Sequence, residues 1–374
     1  MRRIRTHARA GRGAPASGAA AILSASDLAE RLREAAASGR RLRLRGGGTK
    51  DFYGNALAGE PLDTRAHAGV VAYEPSELVV TARCGTPLAE LERLLAEHGQ
   101  MLAFEPPHFG PGATVGGCVA AGLSGPRRAS AGAVRDFVLG VRVLDGRGRE
   151  LSFGGRVMKN VAGYDVSRFL VGSMGTLALL LEVSLKVLPR PPAERSLRLE
   201  MDETSALEAM NRWGGEPLPI SATAWASGVL TVRLSGAQAA VRAAAAKIGG
   251  EPLAEDEARR FWEAVREQTD PFFSGAAPLW RLSVPSVAPP VGLSGRQLIE
   301  WGGALRWWKT AAPAAEVRAA AAKAGGHATL FRAAEKSAGA FAPLSPELEK
   351  LHRALKKVFD PAGILGFGRM YPEF

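Results

Sequence analysis

The chain has 374 residues, of which 46% are hydrophobic and 23% charged, with two cysteines and a net charge of +11. This length and composition predict a globular protein of two domains, and two cysteines cannot form a disulfide framework or hold an iron–sulfur cluster. The arginines are dispersed and no cationic stripe alternates with aromatic residues, so an anionic ligand or an acidic partner is favoured over nucleic acid.

The N-terminal segment, residues 1–22, is basic and contains no acidic residue. It has no apolar stretch long enough for a secretory signal, so we expect a disordered leader, with an organellar transit peptide as the alternative. The longest uncharged run, residues 106–126, contains six glycines and four prolines and does not predict a membrane helix. The scarcity of cysteine favours a reducing, cytoplasmic location.

Residues 23–190 predict a first domain of mixed helices and strands. A capped helix that ends at Gly39 precedes a strand of alternating leucine and arginine, which stops at three consecutive glycines. Two short strands and an amphipathic helix follow. A hairpin with Asp145-Gly146 as its turn then leads to a short helix, a Gly-x-x-Gly-Thr turn and a long apolar strand.

The proline-rich segment 189–192 marks the predicted domain boundary, and residues 191–343 contain an internal repeat. VRAAAAKIGG begins at Val241 and VRAAAAKAGG begins at Val317; each follows an apolar strand and ends in a Gly-Gly helix stop. We interpret the repeat as two strand–helix units of a second α+β domain, with chance similarity of alanine-rich helices as the alternative. Residues 344–374 predict a helix and an irregular tail.

Two glycine-rich loops in the first domain indicate an anion site. The first, RGGGTK, follows the Leu-Arg strand, and the second lies within residues 110–125. Glycine lets backbone approach a ligand, and successive free amides form a concave anion site. We expect the second loop to enter a short helix whose free amides also face the anion. No acidic residue occurs from Pro106 to Arg135, which suits a diphosphate; ordinary turns are the alternative.

The spacing does not match the two commonest phosphate-binding motifs. Lys50 does not complete a Walker A sequence, and Asp51 stands where a Rossmann fingerprint needs its third glycine.

Four other motifs occur in order: RGGGTKDFYG, ATVGGCVAAGLSGPRR, GAVRDFVLGVRVLDGRG and KNVAGYDVSRFLVGSMGTLALLLEVSLKV. Together they resemble the FAD-binding domain of the vanillyl-alcohol-oxidase/PCMH flavoprotein superfamily. Within it, the FAD-binding subunits of glycolate oxidases are most similar, and the tail FDPAGILGFGRMYPEF resembles their ending.

This resemblance implies which residues contact FAD. The first loop would hold the pyrophosphate, the second would run along the diphosphate toward the isoalloxazine, and the strand around residues 181–183 would pass the adenine. The implied cofactor-binding residues are Arg45, Gly46, Gly47, Gly48, Thr49, Lys50, Asp51, Pro111, Gly112, Ala113, Thr114, Gly116, Gly117, Gly122, Ser124, Gly132, Asp136, Gly172, Gly175, Thr176, Glu182 and Val183. Covalent members often carry a histidine in the first loop, which is absent here, so the expected FAD is non-covalent.

The sequence assigns no catalytic residue. The H-x-G-D-G-N-x-H motif of the catalytic 2-hydroxy-acid dehydrogenases has no counterpart, and the six histidines form no close pair, so no metal site is expected. Oxidation of a 2-hydroxy acid needs a base for the hydroxyl proton and a cation for the carboxylate. Tyr164 and Arg168 are candidates only by proximity, and a capped surface helix is the favoured interpretation. His108 and Cys118 are expected to be packed residues, not flavin attachment points.

The resemblance implies an α+β fold: a PCMH-type FAD-binding domain of two α+β subdomains (23–190), a reduced α+β cap domain (191–343), and a C-terminal helix and tail (344–374) that return to the first domain. Gly366-Phe367-Gly368 replaces the family's usual Asn-Pro-Gly, which weakens the expectation that the tail contacts the first domain.

The implied function is that of the FAD-binding subunit of a complex that oxidises glycolate, a small 2-hydroxy acid, to glyoxylate. The implied partners are a larger catalytic flavin subunit and an iron–sulfur subunit, with membrane contact only through them. One alternative is a stand-alone FAD-dependent oxidoreductase of another hydroxy acid or alcohol. The other is a non-catalytic structural subunit.

Overall fold

The computed structural model describes residues 23–155 and 165–374. The helices are α1 (Ala25–Ser38), α2 (Leu88–Glu97), α3 (Val115–Ala121), α4 (Arg128–Ala131), α5 (Val134–Phe137), α6 (Val166–Phe169), α7 (Glu203–Gly214), α8 (Gln238–Ile248), α9 (Glu255–Glu267), α10 (Ala314–Lys323) and α11 (Pro346–Phe359). The strands are β1 (Leu42–Arg45), β2 (Glu60–Asp63), β3 (Val70–Glu74), β4 (Val79–Arg83), β5 (Gln100–Met101), β6 (Val138–Leu144), β7 (Glu150–Gly154), β8 (Leu179–Lys186), β9 (Leu188–Pro189), β10 (Ala193–Glu200), β11 (Ile220–Ala226), β12 (Val229–Gly236), β13 (Glu251–Pro252), β14 (Leu279–Ser283), β15 (Arg296–Glu300), β16 (Leu305–Lys309) and β17 (His327–Arg332). This mixture of helices packed on sheets confirms the predicted α+β class.

A small subdomain is built from α1 and the parallel pair β1–β2. The Ser24 side chain accepts a hydrogen bond from the amide of Asp27, whose carboxylate accepts one from the amide of Ser24, so a capping box fixes the start of α1. The helix ends at Gly39 in the left-handed conformation. Its buried face, including Leu28, packs against Ile364, so the C-terminal tail contributes to the core of this subdomain.

A five-stranded antiparallel sheet, ordered β3-β4-β8-β6-β7, forms the rest of the first domain. Its central strand β8 is buried on both faces, which explains the nearly continuous apolar run in its sequence. The leucines of α2, Leu88, Leu91 and Leu95, are completely buried against this sheet. The structure confirms the predicted hairpin at Asp145, which is formed by β6 and β7. It also confirms the predicted helices before and after the first loop, α1 and α2.

Strands β10 to β17 form an eight-stranded antiparallel sheet, ordered β13-β10-β12-β11-β15-β16-β14-β17. We use the name second domain for residues 191–343, which contain this sheet. The two halves of the sheet repeat the same order: β10, β11, β12 and β13 occupy places equivalent to those of β14, β15, β16 and β17, and the halves meet where β11 pairs with β15. The repeated decapeptides lie in α8 and α10, each directly after the equivalent strand. The interpretation of the repeat as two strand–helix units is therefore confirmed.

A buried ion cluster joins the two domains. Glu105, after β5, accepts hydrogen bonds from Arg127 of the first domain and from Arg233 on β12, with Arg233 Nη2 2.8 Å from Glu105 Oε1. Burial alone raises the pKa of Glu105, but the guanidiniums of Arg233 and Arg127 outweigh it and hold that pKa below its usual value. This carboxylate therefore stays ionised inside the interface.

The tail adds a strand-like segment beside β1. The amide of Leu42 donates to the carbonyl of Ile364 at 2.6 Å, and the amide of Gly366 donates to the carbonyl of Leu42 at 2.9 Å. Lys356 of α11 donates to the carbonyl of Thr176 at 2.7 Å. The tail thus contacts the first domain although its sequence departs from the family pattern.

Candidate functional site

The first glycine-rich loop presents a row of free amides. Among the residues that the structure describes, none accepts a hydrogen bond from the backbone amides of residues 46–50; pairing resumes where the amide of Asp51 donates to the carbonyl of Gly48 at 3.0 Å. Gly48 has a φ of 72°, which turns the backbone without the strain that a side chain would bring. Consecutive amides with no partner in the protein are the chemistry of an anion-binding nest.

The two glycine-rich loops meet backbone to backbone. A Cβ atom on Gly47 would lie 1.5 Å from the carbonyl oxygen of Gly112, and one on Gly46 would lie 2.3 Å from Oγ1 of Thr114. Real Cβ contacts are never this short, so neither position accepts a side chain unless the loops separate. The second loop therefore acts as the support that fixes the shape of the first.

The cleft beside the first loop carries an excess of positive charge. It is lined by residues 43–51, Gly117, Met174 and Arg369. Asp51 is shared by two guanidiniums, with Arg45 Nε at 3.1 Å and Arg43 Nη1 at 3.8 Å from its Oδ2. Arg43 Nε is buried and has no hydrogen-bond partner in the described part of the chain. Free amides and an unsatisfied guanidinium nitrogen fit the diphosphate of FAD.

Lys50 turns away from the nest toward the second loop. Its Nζ lies 3.2 Å from the carbonyl oxygen of His108, to which it donates, and burial lowers the pKa of its ammonium. Thr49 lines the cleft, and the open backbone of Gly110 faces its side chain. The lysine therefore ties the loops together while the amides of its neighbours remain free.

The second loop differs from the prediction in how its amides are used. The amides of residues 115–117, the first turn of α3, donate to Thr86 O, Cys84 O and Thr114 Oγ1 at 2.9, 2.8 and 3.1 Å. The expected free amides at this helix start are thus occupied by the carbonyls that follow β4 and by the N-cap side chain. Gly116 is needed for packing, since its Cβ would lie 2.6 Å from Cβ of Cys84. Gly117 of this turn lines the cleft, and Gly116 and Gly117 both line a smaller cavity next to it.

The residues before α3 form the outer part of the loop contact. Pro111 and Gly112 are exposed, whereas Ala113 is buried and its carbonyl accepts a hydrogen bond from Leu88 of α2 at 2.8 Å. These residues fix the second loop on the first domain, and Thr114 reaches the cleft from it.

The Gly-x-x-Gly-Thr turn lies on the far side of α3. Gly122 and Gly172 cross closely, because a Cβ on Gly122 would lie 2.8 Å from Cα of Gly172. Gly175 has a φ of 74° and packs beside Leu44 of β1, next to the cleft. Thr176 uses its carbonyl to bind α11. The structure thus brings this turn, the first loop and α3 around one cleft.

Three of the implied residues shape the entry into β6 and do not line the cleft. Ser124 Oγ accepts a hydrogen bond from the amide of Val134 at 3.0 Å, and Asp136 accepts one from the amide of Ala133 at 2.8 Å. Gly132 has a φ of 104° at the end of α4. Ser124 and Asp136 therefore make their hydrogen bonds within this segment of the chain.

Glu182 and Val183 also lie apart from the cleft. Val183 is completely buried in the sheet core, and Glu182 accepts a hydrogen bond from Arg142 of β6 at 2.7 Å. Both residues are buried because β8 is the central strand of the sheet and both of its faces are covered. The start of this strand, at Leu179 and Leu180, lines a smaller cavity next to the cleft.

Arg369 from the tail clamps the end of the first loop. Its Nη2 donates to the carbonyls of Lys50 and Asp51 at 3.2 and 3.0 Å, and its Nη1 donates to the carbonyl of Asn55. Burial lowers the pKa of Arg369 to about 10, so the guanidinium stays charged at neutral pH. The sequence motifs did not identify this residue, because its partners lie more than 300 positions away.

The second domain holds the same segment from the other side. Lys336 Nζ donates to the carbonyl of Gly54 at 3.0 Å and also to that of Phe52, and Asn55 Oδ1 accepts a hydrogen bond from the amide of Ala340 at 2.7 Å. Two cations and one amide therefore fix residues 50–55. No sequence pattern points to Lys336.

An aromatic layer separates the cleft from the sheet of the second domain. Tyr53 packs on Phe331, with ring centroids 5.0 Å apart, and Phe331 packs edge-on against Trp307 at 4.9 Å. Behind it lies a small cavity that includes Arg281 and Glu300 among its lining. This is the polar cluster that sequence analysis missed, because each member sits on a different strand of the second sheet.

Glu300 is the group in this cluster that titrates near neutral pH. Burial raises its pKa to about 7, although Trp307 Nε1 donates a hydrogen bond to its Oε1 at 2.7 Å and Arg281 lies nearby. Above about pH 4.3 this carboxyl loses its proton in the unfolded chain but keeps it in the folded protein. The folded protein therefore loses stability as the pH rises from about 4.3 to about 7.

We expect Glu300→Gln to remove this loss. Above pH 7 the free energy of unfolding of the variant should exceed that of the wild type by about 2–4 kcal/mol, and the two should converge below about pH 4. Urea unfolding at several pH values measures this difference, with the exposed Glu97→Gln as a control. A variant less stable than the wild type at pH 8 contradicts the prediction.

The other candidates from the sequence show no reactive environment. Tyr164 lies outside the described residues, and Arg168 is half-exposed and paired with Asp165 at 3.0 Å. His108 Nε2 contacts Glu92 at 2.9 Å. Burial raises the pKa of the Cys118 thiol to about 12, so it is not a thiolate at neutral pH.

Two kinds of feature are absent from the described residues. Over 23–155 and 165–374, no group of three or more histidine, cysteine, aspartate or glutamate side chains could hold a metal ion. No helix within those ranges is long and apolar enough to cross a membrane.

Comparison with known proteins places this geometry in a family. Residues 16–154 match the family described as "FAD binding domain". The glycolate oxidase subunit GlcE of Escherichia coli (strain K12) is 49% identical over 346 residues, which cover 92% of this chain and 97% of that protein. The glycolate oxidase subunit GlcD of Bacillus subtilis (strain 168) is 30% identical over 128 residues, 34% of this chain and 27% of that protein.

A solved structure supports the fold. That of 6-hydroxy-D-nicotine oxidase from Arthrobacter nicotinovorans superimposes with a TM-score of 0.60 at 18% identity, covering 95% of this chain and 92% of that one. At this identity the likeness concerns the fold alone. Together with the match of residues 16–154 to the FAD-binding domain, it confirms the expected PCMH-type fold. With an identity of 49% to GlcE over nearly the whole length of both proteins, the chain belongs to the GlcE family of glycolate oxidase subunits.

Proposed function

We propose that this chain is the FAD-binding subunit of a complex that oxidises glycolate to glyoxylate. The observation that carries the proposal is the row of free amides at residues 46–50 in a cationic cleft. FAD, when bound, supplies the acceptor for the two electrons of the substrate. The chain's own contribution is to hold the diphosphate with the amides of the first loop, with Arg43, Gly117 and Thr114 beside them.

The proposed attachment of FAD is non-covalent. The first loop carries no histidine or cysteine. Nearby, His108 contacts Glu92, and Cys118 is buried with its thiol protonated. The binding energy would then come from charge-assisted hydrogen bonds and from enclosure between the first loop and the tail.

The proposed partners are a larger flavin subunit with the catalytic histidines and an iron–sulfur subunit that takes the electrons onward. The name of the similar Escherichia coli protein describes it as a subunit, which supports a complex of several chains. The two cysteines of this chain are both buried and free, so an iron–sulfur cluster would belong to another chain.

The test is the visible spectrum of this chain purified alone, before and after anaerobic addition of glycolate. We expect a flavin spectrum whose chromophore is released into the supernatant by acid precipitation. Bleaching by glycolate would make this chain catalytic by itself, and no bleaching would place the active site in the larger flavin subunit. A protein without flavin, both alone and in the complex, would overturn the proposed function.

A further inference from the structure

Arg281 is a cation without a counter-ion at the contact between the two domains. It lies on β14, and its guanidinium forms no hydrogen bond and no ion pair with any residue of the described ranges. Burial lowers the pKa of this group, which nevertheless stays charged at neutral pH because arginine is so strongly basic. Enclosing a charge is costly unless the charge is paired, so an anion beside Arg281 would be favoured.

The alternation of side chains along β14 directs Arg281 toward the first domain. Trp280 and Leu282 belong to the core that includes α10, on one face of the sheet. Leu279 and Arg281 therefore lie on the opposite face. Leu279 packs in the same cluster as Tyr53 of the first domain, which confirms that this face is the one that meets that domain.

The small cavity behind the aromatic layer lies at this point of the interface. Residues 123–126 and Phe109 line it from the first domain, and Arg281, Glu300 and Phe331 line it from the second. The cavity has a volume of about 20 Å³. One water molecule needs about 10–15 Å³, so the walls enclose only a small chemical group.

The other charged groups of the lining do not neutralise Arg281. Arg266 is paired with Glu267, with its Nε 2.7 Å from Glu267 Oε1. The pKa of Glu300 is about 7, so a large part of the molecules carry this carboxyl in its neutral form at neutral pH. The cavity therefore has an excess of positive charge.

A second guanidinium approaches from the first domain. Arg128 of α4 and Arg281 both lie against the ring of Trp301, with guanidinium carbons 4.4 and 5.2 Å from the ring centroid. Burial lowers the pKa of Arg128, and the charge of Arg281 lowers it further. An anion beside Arg281 would offset both the repulsion between the two cations and the cost of their burial.

The size and chemistry of the cavity favour a carboxylate over other anions. A guanidinium binds a carboxylate through two parallel hydrogen bonds. The neutral form of Glu300 has a hydroxyl that can donate a further hydrogen bond to a ligand oxygen. A planar carboxylate is also smaller than a tetrahedral phosphate or sulfate, and the apolar side chains of Leu305 and Phe331 in the wall suit a short carbon chain.

We propose that the cavity around Arg281 binds the carboxylate of a short monocarboxylic acid, and that glycolate is its occupant. The class of ligand is inferred from the cavity alone, whereas the choice of glycolate rests on the proposed function. Oxidation of a 2-hydroxy acid needs a cation that holds the carboxylate, and Arg281 would supply it. Arg281 is thus a binding residue, and no proton or hydride passes through it.

The test is titration calorimetry of the full-length chain, as purified, with acetate and acetamide. Acetate has no hydroxyl group to oxidise, so its heat reports binding alone, and acetamide is its uncharged counterpart. We expect acetate to bind at one site per chain, glycolate to compete with it, and acetamide not to bind. Isobutyrate, which is bulkier, should bind more weakly than acetate because the cavity encloses only a small group.

The variant Arg281→Gln should weaken acetate binding at least ten-fold, because it removes the charge-assisted hydrogen bonds. The matched control is Arg195→Gln, at an exposed arginine on β10 of the same sheet, and it should bind acetate as the wild type does. Arg281→Lys keeps the charge without the paired donors, so its affinity should lie between those of the wild type and Arg281→Gln. Circular dichroism shows whether each variant is folded, and Arg281→Lys serves as the test if Arg281→Gln is not.

Several outcomes overturn the proposal. Unchanged acetate binding in Arg281→Gln or Arg281→Lys shows that the carboxylate is held elsewhere, and equal binding of isobutyrate shows that the site is not this cavity. Displacement of acetate by an equal concentration of chloride makes it a general anion site. Acetate binding with which glycolate does not compete overturns glycolate as the occupant. Failure of the proposed function is seen separately, as a lack of flavin in the wild-type chain.

Discussion

Replacing Gly47 by alanine is expected to lower the FAD content of the purified protein at least ten-fold. The new Cβ would lie 1.5 Å from the carbonyl oxygen of Gly112, in backbone that cannot rotate away as a side chain could. The two loops must therefore separate, and the amides of residues 46–50 lose the arrangement that suits a diphosphate. The size of the new side chain matters little, since even one methyl group is too large.

The control is Gly214→Ala at the end of α7, where a Cβ would have no heavy atom within 4 Å. The ratio of flavin absorbance to protein, measured after gel filtration, should stay at the wild-type value in this control. A Gly47→Ala protein that keeps one FAD per chain would show that the contact between the loops is not needed for binding. Circular dichroism separates loss of cofactor from loss of fold.

The second large effect is expected at the ion cluster between the domains. Glu105→Gln should lower the free energy of unfolding by about 3–5 kcal/mol, because it leaves the buried guanidinium of Arg233 without a carboxylate. The guanidinium of Arg127 keeps only its pair with Glu194. An exposed pair gives the matched control: Glu97→Gln removes the partner of Arg93 at the surface and should cost less than about 1 kcal/mol. Urea unfolding of the three proteins at pH 7 measures both values.

The same variant has a defined pH dependence. Because the pKa of Glu105 is lowered in the folded protein, its contribution to stability is complete above about pH 4.3, the ordinary value for glutamate, and is lost as the pH falls through the folded pKa. The gap between wild type and Glu105→Gln should therefore be widest near neutral pH and shrink in acid. A gap that does not change down to pH 3 would mean that Glu105 acts through packing alone.

Local patterns predicted the parts of the structure that depend on local chemistry. The capping box of α1, the hairpin at Asp145 and the repeated strand–helix units each follow from residues within one segment. The first glycine-rich loop was also predicted from residues within one segment, the three consecutive glycines 46–48. The sequence explains only one of the two reasons why position 47 must be glycine. It indicates that the backbone approaches a ligand closely, and the structure shows that the backbone also approaches Gly112 closely.

Long-range pairing explains what the patterns could not predict. The amides at the start of α3 are occupied because the carbonyls of Cys84 and Thr86 lie beside them, which no local spacing reveals. Val183 is implied as a cofactor contact by family position alone, and the structure places it in the core on the central strand β8. The clamp residues Arg369 and Lys336 were missed because their partners are about 300 residues distant in sequence.

The clamp has a consequence for the order of events during synthesis. Arg369 bonds to Lys50 across 319 positions, and Leu42 pairs with Ile364 across a similar span. A chain folds from its N-terminal part as it leaves the ribosome, so the first loop emerges long before the residues that hold it. The contacts that Arg369 makes with the first loop cannot form until residue 369 has been translated, so this side of the cleft is completed late in the maturation of the protein.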